Sequence, residues 1–482
     1  MLFNSYIFIF LFLPLTLAGY YILNHTRNYT VANVFLIGMS LWFYGYYNPS
    51  YLAVICTSVL VNYTLTQVLD KAGSECIRKI ILSVGILGNA VSIFYFKYYD
   101  FFVSNINSAL NTSFQLKHVV LPLGISFFTF QQMSYLVDSY RGETKGYGFI
   151  EYALFVVYFP QLIAGPIVLH NEMIPQFRDK NRRIINSANM AKGIYIFALG
   201  LAKKVLIADT FGRAVSWGFG TVSSLSSMEA ILVSISYTLQ LFFDFSGYCD
   251  MAIGIGYMFN IKLPQNFNSP HKATSILDFW ARWHMSLTRF LRQYVYFPLG
   301  GSRKGTIRTY INIMVVFLVS GIWHGANWTY IVWGLLHGIL NCLNRMFEKQ
   351  WSKVHVVVQW IATFSTVSGL LVIFRSSTLA EAFTFLKKII WLGDFSIRNE
   401  LKQCFALYEL QLLDVGKVFT SRIDGFYMWG IMLLGFLLIL NAPNSNEIVF
   451  KPTKKRGAFT VLLLFWSIVS LAGVSEFLYF GF

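Results

Sequence analysis

Thr309 to Met346 reads TYINIMVVFLVSGIWHGANWTYIVWGLLHGILNCLNRM, and this stretch decides the fold. Two apolar runs, 309–325 and 326–346, meet at a polar interruption around His324, Gly325 and Asn327. No Asp, Glu, Lys or Arg occurs in either run before Arg345. A helix rises about 1.5 Å per residue, so each run comes close to the length that crosses about 30 Å of hydrocarbon. Two consecutive spans broken at a histidine are the reading these residues impose.

Working outward, the pattern repeats along the chain. Further apolar runs lie near 2–23, 31–46, 51–69, 79–97, 118–137, 149–165, 193–215, 226–244, 246–262, 355–375, 426–442 and 457–476. The 482 residues are 56% hydrophobic and 12% charged. A soluble domain carries about 25% charge, so half the usual solvating surface is missing. With a mean hydropathy of +0.54, the fold class is an all-α polytopic membrane protein of about 11–14 apolar helices, some of them re-entrant or interfacial. Disordered, collagen-like, coiled-coil and disulfide-rich classes are excluded. The first run, Met1 to about Leu23, has no basic leader and is too long for a signal peptide, so it reads as a retained span.

The 38 basic and 22 acidic residues leave a net charge of +16. The basic residues gather in short loops: Lys71, Arg78 and Lys79; Arg178, Lys180, Arg182, Arg183 and Lys192; Arg303, Lys304 and Arg308; Lys451, Lys454, Lys455 and Arg456. That is the positive-inside pattern of a membrane protein rather than a nucleic-acid surface. Five cysteines, Cys56, Cys76, Cys249, Cys342 and Cys404, show no metal or redox spacing, and no metal ligand set is expected.

Basic loops should share one side of the membrane. Four runs separate Lys304 from Lys455, an even number. Three separate Arg78 from Arg178, so one of these does not cross. The run 118–137 contains Pro122 and Gly124, and 149–165 ends in Pro160, Gln161 and Gly165, so either suits a re-entrant element. The run 193–215 carries Lys203 and Lys204 at its middle and is expected at the interface. Segment 376–424 is the one long polar stretch late in the chain, placed outside by counting, with an amphipathic helix around Leu379–Ile390. No internal repeat or soluble domain is evident.

Polar groups inside apolar runs carry the candidate chemistry. His324 can act as a base toward a hydroxyl while neutral near pH 7, although such a histidine also serves commonly as a helix–helix hydrogen-bonding group. His337 lies 13 positions on and would face another direction on a continuous helix, which favours a structural role. His284 follows Asp278, Arg282 and Trp283 in a polar stretch, where Asp278 and Arg282 at i, i+4 suit a plain helix ion pair. A cationic mouth for a phosphate-bearing donor is the sharper alternative. Asp244, Ser246, Gly247 and Asp250 form a further polar cluster between two apolar runs, read as a helix break. No HExxH, GxSxG, Walker A or GxGxxG motif occurs, which argues against soluble-type hydrolase, kinase and dehydrogenase chemistry.

Taken in order, these stretches resemble the membrane-bound O-acyltransferase (MBOAT) superfamily, in its bacterial branch typified by alginate O-acetylation. Related branches serve peptidoglycan and cellulose O-acetylation and teichoic acid D-alanylation. The resemblance rests on Leu121-Pro-Leu-Gly-Ile-Ser-Phe-Phe, Tyr158-Phe-Pro-Gln-Leu-Ile-Ala-Gly-Pro166, Asp244-Phe-Ser-Gly-Tyr248 and Pro264-Gln-Asn-Phe-Asn268. It continues through Phe279-Trp-Ala-Arg-Trp-His-Met-Ser286, Tyr296-Phe-Pro-Leu-Gly-Gly301 and Ile322-Trp-His-Gly-Ala-Asn-Trp328, and it weakens after about residue 350. Where the family has an acid after Leu-Arg, this chain has Gln293, so no charge partner is assigned there.

The resemblance implies one membrane-embedded domain over 1–482, with a motif-rich core at 118–347 and a less typical part at 350–482. The implied shape is a ring of helices around a central cavity. It makes His324 the catalytic residue, as general base or transiently acylated group, with His284 as the second. Asn327, Trp323, Trp283, Asp244, Ser246 and Arg282 are the candidate substrate-binding residues. The implied reaction moves an acetyl group from a cytoplasmic donor to an extracytoplasmic polysaccharide in a bacterial inner membrane. No bound cofactor is expected, and the donor is acetyl-CoA or an acyl carrier protein. With no soluble acceptor-binding domain in the chain, a separate extracytoplasmic, esterase-like partner is expected to complete transfer. A non-enzymatic polysaccharide exporter or flippase, and a structural subunit of an envelope assembly, are the rival readings.

Overall fold

The computed structural model describes residues 1–406, 425–445, 447–471 and 477–478, and every regular element among them is helical. Part of segment 376–424 (residues 407–424) and part of run 457–476 (residues 472–476) lie outside the described residues. Among the described residues, six helices are long and apolar enough to cross a membrane, by length and composition. The chain divides into two compact units.

The first unit comprises Met1–Ala198, Tyr248–Pro264 and Pro452–Thr460. It holds α1 (Phe8–His25), α2 (Tyr29–Gly45), α3 (Ser50–Lys71), α4 (Glu75–Leu110), α5 (Ile125–Tyr140), α6 (Phe149–Val157), α7 (His170–Arg178) and most of α8 (Ser187–Ala202). Only 11% of the most apolar window of α4 is buried, as lipid-facing residues require, and a wide turn at Phe94–Tyr98 interrupts it. The expected span 118–137 becomes helical only at Ile125. Gly124 begins it at φ +70°, and a side chain there would meet the Leu162 carbonyl at 2.7 Å. The polar residues of α5 are satisfied inside the protein: Gln132 donates to Ser58 Oγ at 2.9 Å and accepts from Tyr152 OH at 3.1 Å. Backbone at Tyr158 leaves the helical region, which ends α6 after nine residues. Arg183, from a basic loop, is buried and donates to Asn24 Oδ1 at 3.0 Å and Asn33 Oδ1 at 3.3 Å.

The second unit comprises Leu199–Gly247, Gln265–Lys451 and Val461–Phe482. Its elements are a wide turn at Lys203–Ala208, α9 (Asp209–Gly220), the larger part of α10 (Ser227–Met258), α11 (Ile276–Arg282), α12 (Met285–Leu291) and α13 (Thr306–His324). They continue through α14 (Trp328–Met346), α15 (Val356–Arg375), α16 (Leu379–Trp391), α17 (Phe426–Asn441) and part of α18 (Lys454–Val469).

One expectation is corrected by the helix boundaries. Runs 226–244 and 246–262 are one 32-residue helix, α10, and Gly247 does not break it. Its polar residues are tolerated because 89% of its most apolar window is enclosed by protein. Gly247 instead permits close approach, since a side chain there would come within 2.8 Å of the Gly200 carbonyl. Within run 193–215 the charge of one lysine is met inside the protein. Lys204 is buried, with Asp244 Oδ1 at 2.7 Å and Asp209 Oδ1 at 2.9 Å.

Helices α13 and α14 pack backbone against backbone, with the Gly321 and Gly334 positions in contact. Gly325 is extended at φ −172° and ends α13 directly after His324. Asn327 then starts α14, its side chain accepting from Thr329 N at 3.1 Å.

Candidate active site

His324 lies in the last turn of α13 and is 4% exposed. Its Nδ1 is 2.6 Å from the Ser320 carbonyl oxygen. A carbonyl can only accept, so Nδ1 carries the proton and, in the neutral ring, Nε2 carries the lone pair. Three aromatic rings enclose the imidazole edge-on: Trp323 at 4.9 Å, Trp333 at 5.0 Å and Phe374 at 5.4 Å between centroids. Ser320 Oγ and Trp333 Nε1 are buried there without a protein hydrogen-bond partner.

His284 stands between α11 and α12 and is fully buried. Its backbone is left-handed at φ +45°, a conformation that costs energy in a residue with a side chain. Asn266 holds it there. Asn266 Oδ1 lies 3.1 Å from His284 Nδ1 and also accepts from Ser286 N at 3.2 Å and Ser286 Oγ at 2.9 Å. Nδ1–H therefore donates, and Nε2 again carries the lone pair. Burial pushes the His284 imidazole well below its ordinary value, and His324 adds in the same direction. It is neutral at pH 7.

Forty positions separate the histidines in sequence, yet the Trp323 indole adjoins both imidazoles, 6.0 Å from His284 and 4.9 Å from His324. Phe245 also packs on His284 at 4.9 Å, Phe267 packs on Phe245 at 5.0 Å, and Trp283 on Phe267 at 5.0 Å. In their neutral form, two imidazoles in aromatic walls can accept protons from hydroxyl groups, and such walls can bind an acyl chain or thioester.

The other candidates are placed differently. Asp244 is held by Lys204 and accepts from Leu478 N at 3.0 Å. Ser246 Oγ is buried without a hydrogen-bond partner. Arg282 pairs with Asp278 at 2.7 Å and is about one-third exposed. Asn327 caps α14 and donates to the Ser377 carbonyl at 2.9 Å. His337 accepts at Nδ1 from Trp280 Nε1 at 3.1 Å, a packing role within the same unit.

Sequence reasoning missed Asn266, Ser320, Trp333 and Phe374. Asn266 lies within the quoted motif Pro264-Gln-Asn-Phe-Asn268, but nothing local distinguishes it from Asn268.

The membrane-bound O-acyltransferase family matches residues 82–375, which include His284, His324 and all three rings around the latter. The chain is 42% identical to a peptidoglycan O-acetyltransferase of Helicobacter pylori over 84% of its own length and 82% of the relative's. It is 36% identical to a probable alginate O-acetylase of Pseudomonas aeruginosa, over 82% of this chain and 76% of that one. A teichoic acid D-alanyltransferase of Bacillus subtilis is more distant, 28% identical over 52% of this chain and 66% of its own.

Proposed function

Because the chain belongs to the membrane-bound O-acyltransferase family, an enzyme class that moves acyl groups onto oxygen, we propose that it acetylates a cell-envelope polysaccharide through His324. Peptidoglycan or an alginate-like polymer is the final acceptor. The observation that carries this reading is the tautomer of His324, whose Nδ1–H is spent on the Ser320 carbonyl so that Nε2 is the basic atom.

In the proposed step, His324 Nε2 removes the proton from an acceptor hydroxyl. The hydroxyl oxygen attacks the carbonyl carbon of an acetyl thioester, a new C–O bond forms, and the C–S bond breaks. The proton passes to the departing thiolate, which restores the neutral imidazole. Trp333 Nε1 and Ser320 Oγ can donate to the carbonyl oxygen as negative charge develops on it. His284, held by Asn266, is a second neutral imidazole toward the donor side. Acetyl-CoA or an acyl carrier protein supplies the thioester from the cytoplasm, and a separate extracytoplasmic protein completes transfer to polymer. In this reading the enzyme works in a bacterial cytoplasmic membrane.

The test uses full-length protein in liposomes with a radiolabelled acetyl thioester and a soluble hydroxyl acceptor. His324→Ala should slow acetyl transfer about 10²–10⁴-fold in protein that remains folded at the assay temperature. Wild-type turnover in that variant overturns the assignment. If transfer is absent from the wild type as well, while polymer export in cells survives His324→Gln, the enzyme reading gives way to an exporter.

A further inference from the structure

Within the first unit, three groups that the acyl-transfer chemistry does not use converge where α5, the loop after it and α7 meet. Asp138 lies in the last turn of α5, Glu143 in the loop, and His170 at the first position of α7. One ligand-type atom from each lies within 4.8 Å of the others. Asp138 is 2% exposed and His170 1%, whereas Glu143 is exposed.

The imidazole gives the independent sign of a ligand. Asp138 Oδ2 lies 3.2 Å from His170 Nε2, but neither ring nitrogen of His170 has a hydrogen-bond partner. A buried polar group left in that condition destabilises the fold unless a ligand satisfies it. A carboxylate oxygen close to a ring nitrogen, without the alignment of a hydrogen bond, is the relation of two ligands that share one ion. Metal–ligand bonds of about 2.1 Å at tetrahedral angles set neighbouring ligand atoms about 3.4 Å apart. Tyr135 at 5.6 Å and Tyr147 at 5.7 Å pack edge-on against the imidazole and restrict its rotation. Arg141 Nη1 engages the other oxygen, Oδ1, at 3.3 Å and leaves Oδ2 toward His170, the outer-sphere arrangement that orients a ligating carboxylate. Glu143 is the loosest member, and an exposed side chain can swing inward to close the set.

We propose that Asp138, Glu143 and His170 bind one divalent metal ion, Zn²⁺ by their donor chemistry, clamping the end of α5 to the start of α7. One imidazole nitrogen disfavours the all-oxygen ions Mg²⁺ and Ca²⁺, and two carboxylates with one imidazole suit Zn²⁺, leaving a position for water. The sequence concealed the set because its members are five and 27 positions apart, with no helical or CxxC-type register. This inference is independent of the acyl-transfer reading.

The test is metal content and melting of the full chain in detergent, stripped with EDTA, incubated with Zn²⁺ and desalted. Wild type should retain one Zn²⁺ per chain and gain thermal stability from it. His170→Gln should lose that equivalent. Glu143→Gln, a change at an exposed side chain that leaves the fold intact, should weaken binding at least tenfold and reduce the melting gain. Millimolar Mg²⁺ should not compete. Retention below 0.2 equivalents in the wild type, or equal retention in wild type and Glu143→Gln, overturns the site. Retention of Mn²⁺ but not Zn²⁺ overturns the choice of ion.

Discussion

Lys204 sets its Nζ where the side chain is 2% exposed, between Asp244, 3% exposed, and Asp209, 29% exposed. An ammonium so enclosed is tolerated only with its counter-charges in place, and a buried charge stripped of its partner costs about 3–5 kcal/mol. The wide turn at Lys203–Ala208 presents this residue to α10, and Gly247 lets the backbones meet there. Lys204→Met and Asp244→Leu should therefore each lower stability by about 3–5 kcal/mol, read from reversible unfolding in mixed micelles. The double variant should recover most of the loss, because an apolar pair of similar volume is often neutral in such a site. If the double variant loses as much as the two single variants together, the charges are not coupled and the account fails. The same experiment bears on Asp244 as a substrate ligand: a carboxylate committed to an ion pair predicts lost folding, not a raised KM at full stability.

The elements bring the site together through close backbone contacts. At Gly334, an added side chain would come within 2.5 Å of the Phe317 carbonyl and 3.0 Å of Gly321 Cα, both backbone atoms that cannot yield alone. Gly334→Ala should push α14 from α13, shift Trp333 away from His324, and cost about 1–3 kcal/mol as overpacking. Gly38→Ala in α2 is the control, because nothing lies within 4 Å of the new methyl group and alanine is the better helix former. The thermal midpoint should fall in the first variant and hold or rise in the second, with acetyl transfer following the midpoint. Equal behaviour of the two would refute the close-packing argument. Such contacts also show what the sequence withheld. The hinge at His324, Gly325 and Asn327 was legible because a polar break inside apolar runs is a local signal. The continuity of α10 was not, since Asp244 and Gly247 read locally as a break and are explained by Lys204 and Gly200, about 40 positions away. Trp333 was hidden for a geometric reason. Nine positions after His324 it would face the opposite side of a continuous helix, and the reversal at Gly325 brings it back.

Helix lengths among the described residues favour one crossing pattern between the basic loops. Between Arg78 and Arg178 lie α4, α5 and α6, an odd number that would put two basic loops on opposite sides. Nine residues of α6 rise about 14 Å, less than half the hydrocarbon thickness, whereas the 16 of α5 rise about 24 Å, enough where the bilayer thins. With α6 as the element that turns back, the number is even. From Arg183 to Arg303 the helical stretch 187–220 and α10 give two crossings, and from Lys304 to Lys455 helices α13, α14, α15 and α17 give four. All four basic loops then share the cytoplasmic side, as the positive-inside bias requires. The prediction is tested with a membrane-impermeant maleimide in a Cys76→Ser background, because Cys76 is an exposed native thiol. Asn111→Cys, after one crossing, and Lys387→Cys on α16, after three crossings from Lys304, should be modified in intact cells. Asn181→Cys and Ser302→Cys should react only after the membrane is opened. All four positions are exposed, so a silent site reports its side of the membrane rather than burial. Labelling of Asn181→Cys in intact cells would mean that α6 crosses after all, and the cytoplasmic entry assigned to the acyl donor would have to move with it.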